Sequence, residues 1–391
     1  MDFTQAPMLI TQLSSLSTKL SNDDKIARKE ALAISKNLIR ALEPPENLAL
    51  ELAYSPLITV SATIAVELGL FKLIVKHGTV SSKELASLSS GEELLIVRIL
   101  RPLASTGFVD EVGERVWEPT PITRAMATDG IAAGYRTLKV ITGVASHKGS
   151  DYLREVDYHC PTDPRDGLVQ YTYQTKLSLF KYIATIPHMS NNFNLFMGST
   201  MGARGYWVDW YPVEERLLKG ASKDTALLVD VGAGKGHDTL AFHAKYPNQG
   251  RLIFQDMVPP FDDIQAMGGT IECMTYDFFT AQPVIGARAY FYHHVLHDWS
   301  DNMCLEILKR VQAAMTPGYS KLLLHEMIIP EKGASTFHAM LDLTMMVANA
   351  GMERTESQWR ALLENAGLQV IKVWPALEED ADGIIEAMLP E

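Results

Sequence analysis

The chain is short of positive charge. Its 35 lysines and arginines face 47 acidic residues, for a formal net charge of −12. That balance argues against nucleic acid or an anionic membrane as the main partner, because binding phosphate draws on a basic surface. Cysteine is scarce as well. Cys160, Cys273 and Cys304 are odd in number and widely spaced, which gives neither a disulfide framework nor a metal pattern, and a reducing, cytoplasmic setting is the expectation. Low-complexity segments and internal repeats are missing too. The start, Met1-Asp-Phe-Thr-Gln-Ala-Pro-Met8, has no basic segment followed by an apolar core, so no secretory signal is expected. Nor does any run read as apolar enough to span a bilayer: the best candidate, around residues 55–70, is interrupted by Ser61, Thr63 and Glu67. What is present is an ordinary globular composition, 47% hydrophobic over 391 residues, long enough for two domains.

The first third reads as helical. Residues 23–42 form an amphipathic pattern, with Ile26, Ala27, Ala31, Ile34, Leu38 and Ile39 among polar neighbours, ended by Pro44-Pro45. A strongly apolar helical segment covers roughly 57–76, and Ser81-Ser-Lys-Glu84 has the spacing of a capping box. A longer helix near 92–106 precedes Phe108–Trp117, which alternates around Gly113 and predicts a hairpin. Helices followed by a hairpin suggest a winged-helix unit. With only Arg98 and Arg101 on the preceding helix, dimerisation is a better reading than DNA binding. Residues from about 119 to 218 are mostly helical, broken by Pro161 and Pro164.

From Ala226 onward strands and helices alternate. Strands are predicted at 227–231, 251–255, 289–293, 321–325 and 368–374, with helices such as 239–245, 301–315 and 356–366 between them. This predicts an α/β fold whose doubly wound, mainly parallel sheet is covered on both faces. Such sheets collect their chemistry at the carboxyl ends of the strands. The first predicted strand runs into Gly232-Ala-Gly-Lys-Gly236. Residues without a Cβ permit a tight turn there, and the exposed N–H groups at the helix start favour a carboxylate or phosphate. Asp256 closes the next strand, where a carboxylate can accept both hydroxyls of a ribose. Asp277-Phe278 follows a further short segment, 271–276, placing a carboxylate and a ring where they can hold an exocyclic amine and stack an adenine. His297 comes shortly after another apolar strand and is a candidate base. Adjacent strand residues point to opposite faces, so His293, His294 and His297 are not expected to share an ion, and no metal is expected. Asp298 and Asp301 read as caps of the helix that begins there.

Taken together, Val229–Gly236, Gln255-Asp256, Tyr276-Asp-Phe-Phe279, His297-Asp-Trp-Ser-Asp301, Glu326 and Glu353-Arg-Thr355 resemble the plant- and fungal-type S-adenosylmethionine-dependent O-methyltransferases of the caffeate/flavonoid kind. The resemblance covers nearly the whole chain. It implies an N-terminal winged-helix dimerisation domain (residues 1–122) and a Rossmann-like catalytic domain (123–391) with a helical cap at about 123–218, in a homodimer. It implies that S-adenosylmethionine lies on Gly232, Gly234, Gly236, Asp256, Asp277 and Phe278. It also puts a cofactor contact at His293, where many plant members have lysine. His297 is the base in that family, steered by carboxylates that match Glu326 and Glu353. Two helices carrying Phe193, Met197 and Met201, and Met345 with Asn349, lie over a flat, apolar, aromatic or polyketide-derived acceptor, with Trp207 on the same wall. Leu42-Glu-Pro-Pro45 and Tyr211–Arg216 look closer to fungal members. Some fungal relatives act as pericyclases on pyridone-type alkenes, retaining the cofactor without using its methyl, and that is the alternative reading.

Overall fold

Six-residue apolar strands separated by capped helices set the layers of the larger of two units. The chain's computed structural model describes residues 5–22, 24–201, 205–257, 271–378 and 380–390, without the side chains of 200 and 201. It divides into Met1–Ala132 and Ala133–Glu391, a break that falls inside the helix Asp129–Leu138, later than the expected boundary after residue 122.

In the smaller unit the expected single apolar helix is two, Pro45–Glu67 and Leu70–His77, parted at Gly69, whose φ of +68° lies in the left-handed region. The first is long and apolar enough to cross a membrane by length and composition, contrary to the expectation from sequence. Its hydroxyls do not interrupt it: the Thr63 Oγ1 donates to the Thr59 carbonyl at 2.8 Å, hiding its polarity within the helix. Leu50, Leu52, Tyr54, Leu57 and Val60 are exposed within this unit. The predicted capping box is present, Ser81 and Glu84 satisfying each other's backbone at the start of Ser82–Ser89. Helix Glu93–Ser105 leads into a hairpin of β2 (Asp110–Gly113) and β3 (Val116–Glu118), with β1 (Val80–Ser81) paired to β3. Helices and hairpin thus follow the winged pattern.

In the larger unit β4 (Ala226–Val231), β5 (Arg251–Asp256), β6 (Ile271–Thr275), β7 (Ala289–His293) and β8 (Lys321–Glu326) run parallel. Two short strands, β9 (Ile328–Ile329) and β10 (Arg354–Thr355), pair separately. The main sheet has the order β11-β12-β8-β7-β4-β5-β6, where β11 (Gln369–Trp374) and β12 (Gly383–Met388) are antiparallel to their neighbours. Alternation buries both faces: Val229, Tyr290, Tyr292, Leu322 and Leu324 pack with Trp359 on one side, and Leu228, Phe291, Leu323 and Ile384 with Trp207 and Phe242 on the other.

Strand β12 does not stand out in the sequence because it carries a charge at its centre. Glu386 is fully buried, which is costly unless the carboxylate is paired. It accepts from Trp374 (3.2 Å) on the neighbouring strand and from Arg216 (2.6 and 3.1 Å), Tyr211 (3.2 Å) and Lys321 in distant segments.

Candidate active site

The carboxyl ends of β4, β5, β7 and β8 carry the three glycines, Asp256, His293, His297 and Glu326. At the end of β4, Gly232, Gly234 and Gly236 all have positive φ (+74°, +58° and +76°). The Gly232 and Ala233 N–H groups donate to the Gln255 carbonyl, which closes the turn against β5. A Cβ on Gly236 would lie 2.5 Å from the Phe254 ring, and one on Gly232 2.8 Å from Val295. At Gly234 nothing lies within 4 Å, so the backbone there faces open space. Asp256 accepts the Gly234 N–H at 2.9 Å, tying the end of β5 to the loop. Asp277 is exposed and accepts the Phe279 N–H at 3.0 Å, so its carboxylate caps its own turn. Phe278 meets Trp299 edge-on at 5.9 Å.

His297 sits on a single turn (Leu296–Asp298) just past β7 and is only 7% exposed. Its Nδ1–H donates to Glu353 Oε1 at 2.8 Å, which fixes the ring and leaves Nε2 as the nitrogen free to act. Burial works against a charged ring. The charges of Glu353 and Glu326 and the Glu353 hydrogen bond outweigh it and push His297 up to about 10. Glu326 acts on the imidazole through its charge, not through a hydrogen bond. Its Oε1 accepts the Val295 and Leu296 N–H groups (3.1 and 2.9 Å), so it holds the backbone entering the turn.

The turn is held from its other side by Arg354, which is fully buried over the Trp359 ring. Its guanidinium donates to the Leu296 and Trp299 carbonyls (3.2 and 2.8 Å) and to Asp301 (2.9 Å). Asp301 therefore serves this pair, and Ser300 is the residue in the cap position. Asp298 is not a cap either: its Oδ1 lies 3.9 Å from His297 Nε2, and burial pushes its carboxyl up to about 6. Asn349 Nδ2 donates to the Asp298 carbonyl at 3.0 Å, bringing the helix Thr336–Asn349 against the same turn. The chain then passes so close that a Cβ on Gly351 would sit 2.2 Å from the His297 carbonyl oxygen.

The three histidines break the alternation assumed from sequence. Strand β7 ends at His293, and His294 has φ +51°, so both rings reach one carboxylate. His294 Nε2 is 2.7 Å from Asp382 Oδ1, and His293 Nε2 is 3.7 Å from Asp382 Oδ2. The donor atoms of His293, His294 and Asp382 all lie within 4.8 Å of one another. At His293, where the resemblance implied a cofactor contact, one ring nitrogen is already engaged. Its Nδ1 bonds Asp238 in the helix His237–Lys245 at 2.7 Å. Burial opposes its charge, but Asp238 and Asp382 push it up to about 10. His294 stacks on His297 with centroids 4.9 Å apart and planes 21° apart.

The acceptor residues scatter. Trp207 is fully buried, stacked on Phe291 (4.7 Å) and Phe242 (5.8 Å), and belongs to the core beneath the sheet rather than to an accessible wall. Phe193 packs edge-on against Phe180, Met345 is buried and Met197 half-buried. The Met201 side chain lies outside the described residues. Asp238 and Asp382 escaped the sequence reading because the histidines they meet are 55 and 88 residues away.

Comparison with known proteins identifies the domains. Residues 163–369 match the O-methyltransferase domain and residues 50–129 the O-methyltransferase dimerisation domain. The chain is 49% identical over 383 residues to the O-methyltransferase penC of Penicillium thymicola, covering 97% of this chain and 96% of that one. Among solved structures it is similar to OxaC in complex with sinefungin and meleagrin (27% identity, TM-score 0.89, 99% of each chain). It is also similar to a structure described as a pericyclic reaction enzyme (29% identity, TM-score 0.85, 97% and 99%).

Proposed function

Because the chain belongs to the S-adenosylmethionine-dependent O-methyltransferase family, we propose that His297 is the base that takes the proton from an acceptor hydroxyl, carried on an aromatic or polyketide-derived specialised metabolite. The observation that supports this reading is the buried His297–Glu353 pair, 2.8 Å apart, at the carboxyl end of a central strand beside the glycine loop. The dimerisation-domain match supports a homodimer, and the exposed apolar face of Pro45–Glu67 offers a surface for it.

The residues present fit the cofactor. Gly234 leaves its backbone open, where a side chain would obstruct it, and Asp256 offers a carboxylate at the neighbouring strand end. S-adenosylmethionine supplies an electrophilic methyl group, so the protein's work is alignment and proton removal. A phenol with an ordinary pKa of about 10 is a weak nucleophile at neutral pH and needs a base. Glu353 holds the ring in the tautomer that presents Nε2 and stabilises the imidazolium that forms. Arg354 is a positioning residue, acting through the backbone of the turn, and Glu326 holds the same backbone while its charge favours the imidazolium. Without ligands the ring holds its proton tightly; a second positive charge in the pocket disfavours that form and brings Nε2 back toward use.

Methyl transfer is preferred to the pericyclase alternative, which the structural likeness leaves compatible, because the base and its carboxylate are both present. The test is incubation with methyl-labelled cofactor and a panel of phenols and pyridones. Labelled product is expected, and His297→Ala should lower its rate by roughly 10²–10⁴-fold. Conversion of an alkene without cofactor loss would overturn the reading, and near-normal transfer by His297→Ala would remove His297 as base.

A further inference from the structure

Strand alternation would spread His293, His294 and His297 over two faces and keep them from sharing an ion. The structure keeps only part of that separation. Strand β7 ends at His293, and the next residue, His294, has φ +51°. Histidine tolerates this left-handed conformation better than most residues with a Cβ. It brings the His294 ring beside that of His293, with centroids 4.5 Å apart. His297 stays out of the group, because its Nδ1 is engaged with Glu353. Asp382, just before β12, joins instead: the donor atoms of His293, His294 and Asp382 all lie within 4.8 Å of one another.

The cluster has the marks of a cation site. His293 Nε2 has no hydrogen-bond partner, although its side chain is only 9% exposed. Asp382 Oδ2 is 3.7 Å away, beyond bonding distance. Leaving a buried polar nitrogen in that state is costly. The spacing also fits. A tetrahedral zinc ion bonded to nitrogen and oxygen at about 2.0–2.2 Å holds its ligands about 3.3 Å apart. The 3.7 Å from His293 Nε2 to Asp382 and the 2.7 Å from His294 Nε2 to Asp382 bracket that value. Finally, the His293 ring is braced from behind, its Nδ1–H donating to Asp238 at 2.7 Å. Metal-binding imidazoles characteristically give their other N–H to a carboxylate, which fixes the tautomer and raises the basicity of the ligand.

In the metal-free protein the charges of Asp238 and Asp382 favour a proton on each nitrogen of His293. A proton on Nε2 has no acceptor within bonding distance, whereas an ion bonds all three groups at once. It takes the place of that proton and leaves Nδ1–H on Asp238. A second grouping, Asp238, His293 and His325, is equally tight. There Asp238 and His293 already satisfy each other, and His325 is buried. The His294 side chain, 21% exposed, gives the first grouping a route to solvent.

We propose that His293 Nε2, His294 Nε2 and an Asp382 carboxylate oxygen form a binding site for a divalent ion of the zinc type, with a fourth position left for water. Two imidazoles and a carboxylate suit such an ion better than calcium or magnesium, which take oxygen ligands. Bound there, it ties the chain entering β12 to the end of β7 and fixes the His294 ring, which stacks on His297.

The inference does not rest on His297 acting as base, and its test reads binding alone. Full-length protein without a purification tag, stripped with a chelator, is titrated with zinc sulfate against a chromogenic zinc indicator. His294→Asn, Asp382→Asn and Asp238→Asn are titrated alongside, with folding checked by circular dichroism. Asparagine suits the left-handed backbone at 294, and ligand variants on two separate segments guard against one failing to fold. The wild type is expected to bind one equivalent. His294→Asn and Asp382→Asn, which each remove a ligand, should weaken it about a hundredfold or more, and Asp238→Asn, which only loosens a ligand, by about tenfold. No binding by the wild type, or one equivalent held equally by the two ligand variants, overturns the site. Loss in Asp238→Asn alone overturns it too, since the ion would then lie in the second grouping.

Discussion

The glycine loop after β4 and the turn after β7 leave adjacent strands, yet they are held by different means. The glycine loop is held mostly by backbone: three positive-φ glycines and N–H bonds to the Gln255 carbonyl of the next strand, with one more to the Asp256 carboxylate beside it. The His297 turn is built from side chains that arrive from far along the chain, Glu326, Glu353 and Arg354, all buried. Damage to the first should be local and felt in cofactor binding. Damage to the second should spread, because each support is buried and shared.

The sharpest break in that comparison is Arg354→Ala. It removes the guanidinium's bonds to the Leu296 and Trp299 carbonyls and its packing over Trp359 in the interior, so a loss of about 3 kcal/mol of stability is expected by urea denaturation, with activity abolished. A loss under about 1 kcal/mol would mean the turn does not depend on it. Next come the two acids. Glu353→Gln keeps the shape but weakens the support of the imidazolium and should lower kcat by about 10²-fold, whereas Glu326→Gln, which still offers an oxygen to the two N–H groups, should cost about tenfold or less. Equal losses in kcat would mean that the charge of Glu326 on the ring counts for as much as the Glu353 hydrogen bond.

Smaller effects belong to the glycine loop. Gly236→Ala must drive a Cβ into Phe254 and should raise the cofactor KM about tenfold or more, while Gly234→Ala meets open space and bears only the positive-φ cost of about 1 kcal/mol. Equal effects from the two would argue that the loop re-forms freely. The gentlest probe is pH. Since the Glu353 and Glu326 charges overcome burial and push His297 up to about 10, the ring is protonated and idle below that value in the ligand-free protein. The kcat/KM for cofactor should therefore rise with pH along a limb above the ordinary histidine value of about 6.5, and kcat/KM for acceptor, at saturating cofactor, should show its limb lower. Coincident limbs would mean that bound positive charge does not reach the ring.

Much of the fold is legible in the sequence because its signals are local. Strand β7 is found at its predicted residues and β4, β5 and β8 within one residue at either end, since short apolar runs bounded by glycine, acids and caps need no distant information. The capping box at Ser81 and the hairpin after it are equally local. Strand β12 was missed because its central glutamate looks unsuited to a core until Arg216, Lys321 and Tyr211 are brought to it. Trp207 misled in the opposite direction: an aromatic near a site reads as a wall, and only packing shows it stacked under the sheet.

By itself the sequence determined the glycine turn, the strands that flank it and the chemical types that a methyl-transfer site needs, because backbone permissiveness, periodicity and side-chain chemistry belong to residues taken one at a time or in short windows. Only the tertiary structure decided that Glu353 bonds the His297 ring while Glu326 bonds the backbone of its turn, and that His293 and His294 bend toward a shared Asp382. Those choices depend on where buried carboxylates and carbonyls meet across dozens of residues, and on the cost of leaving any one of them unpaired, which no local pattern records.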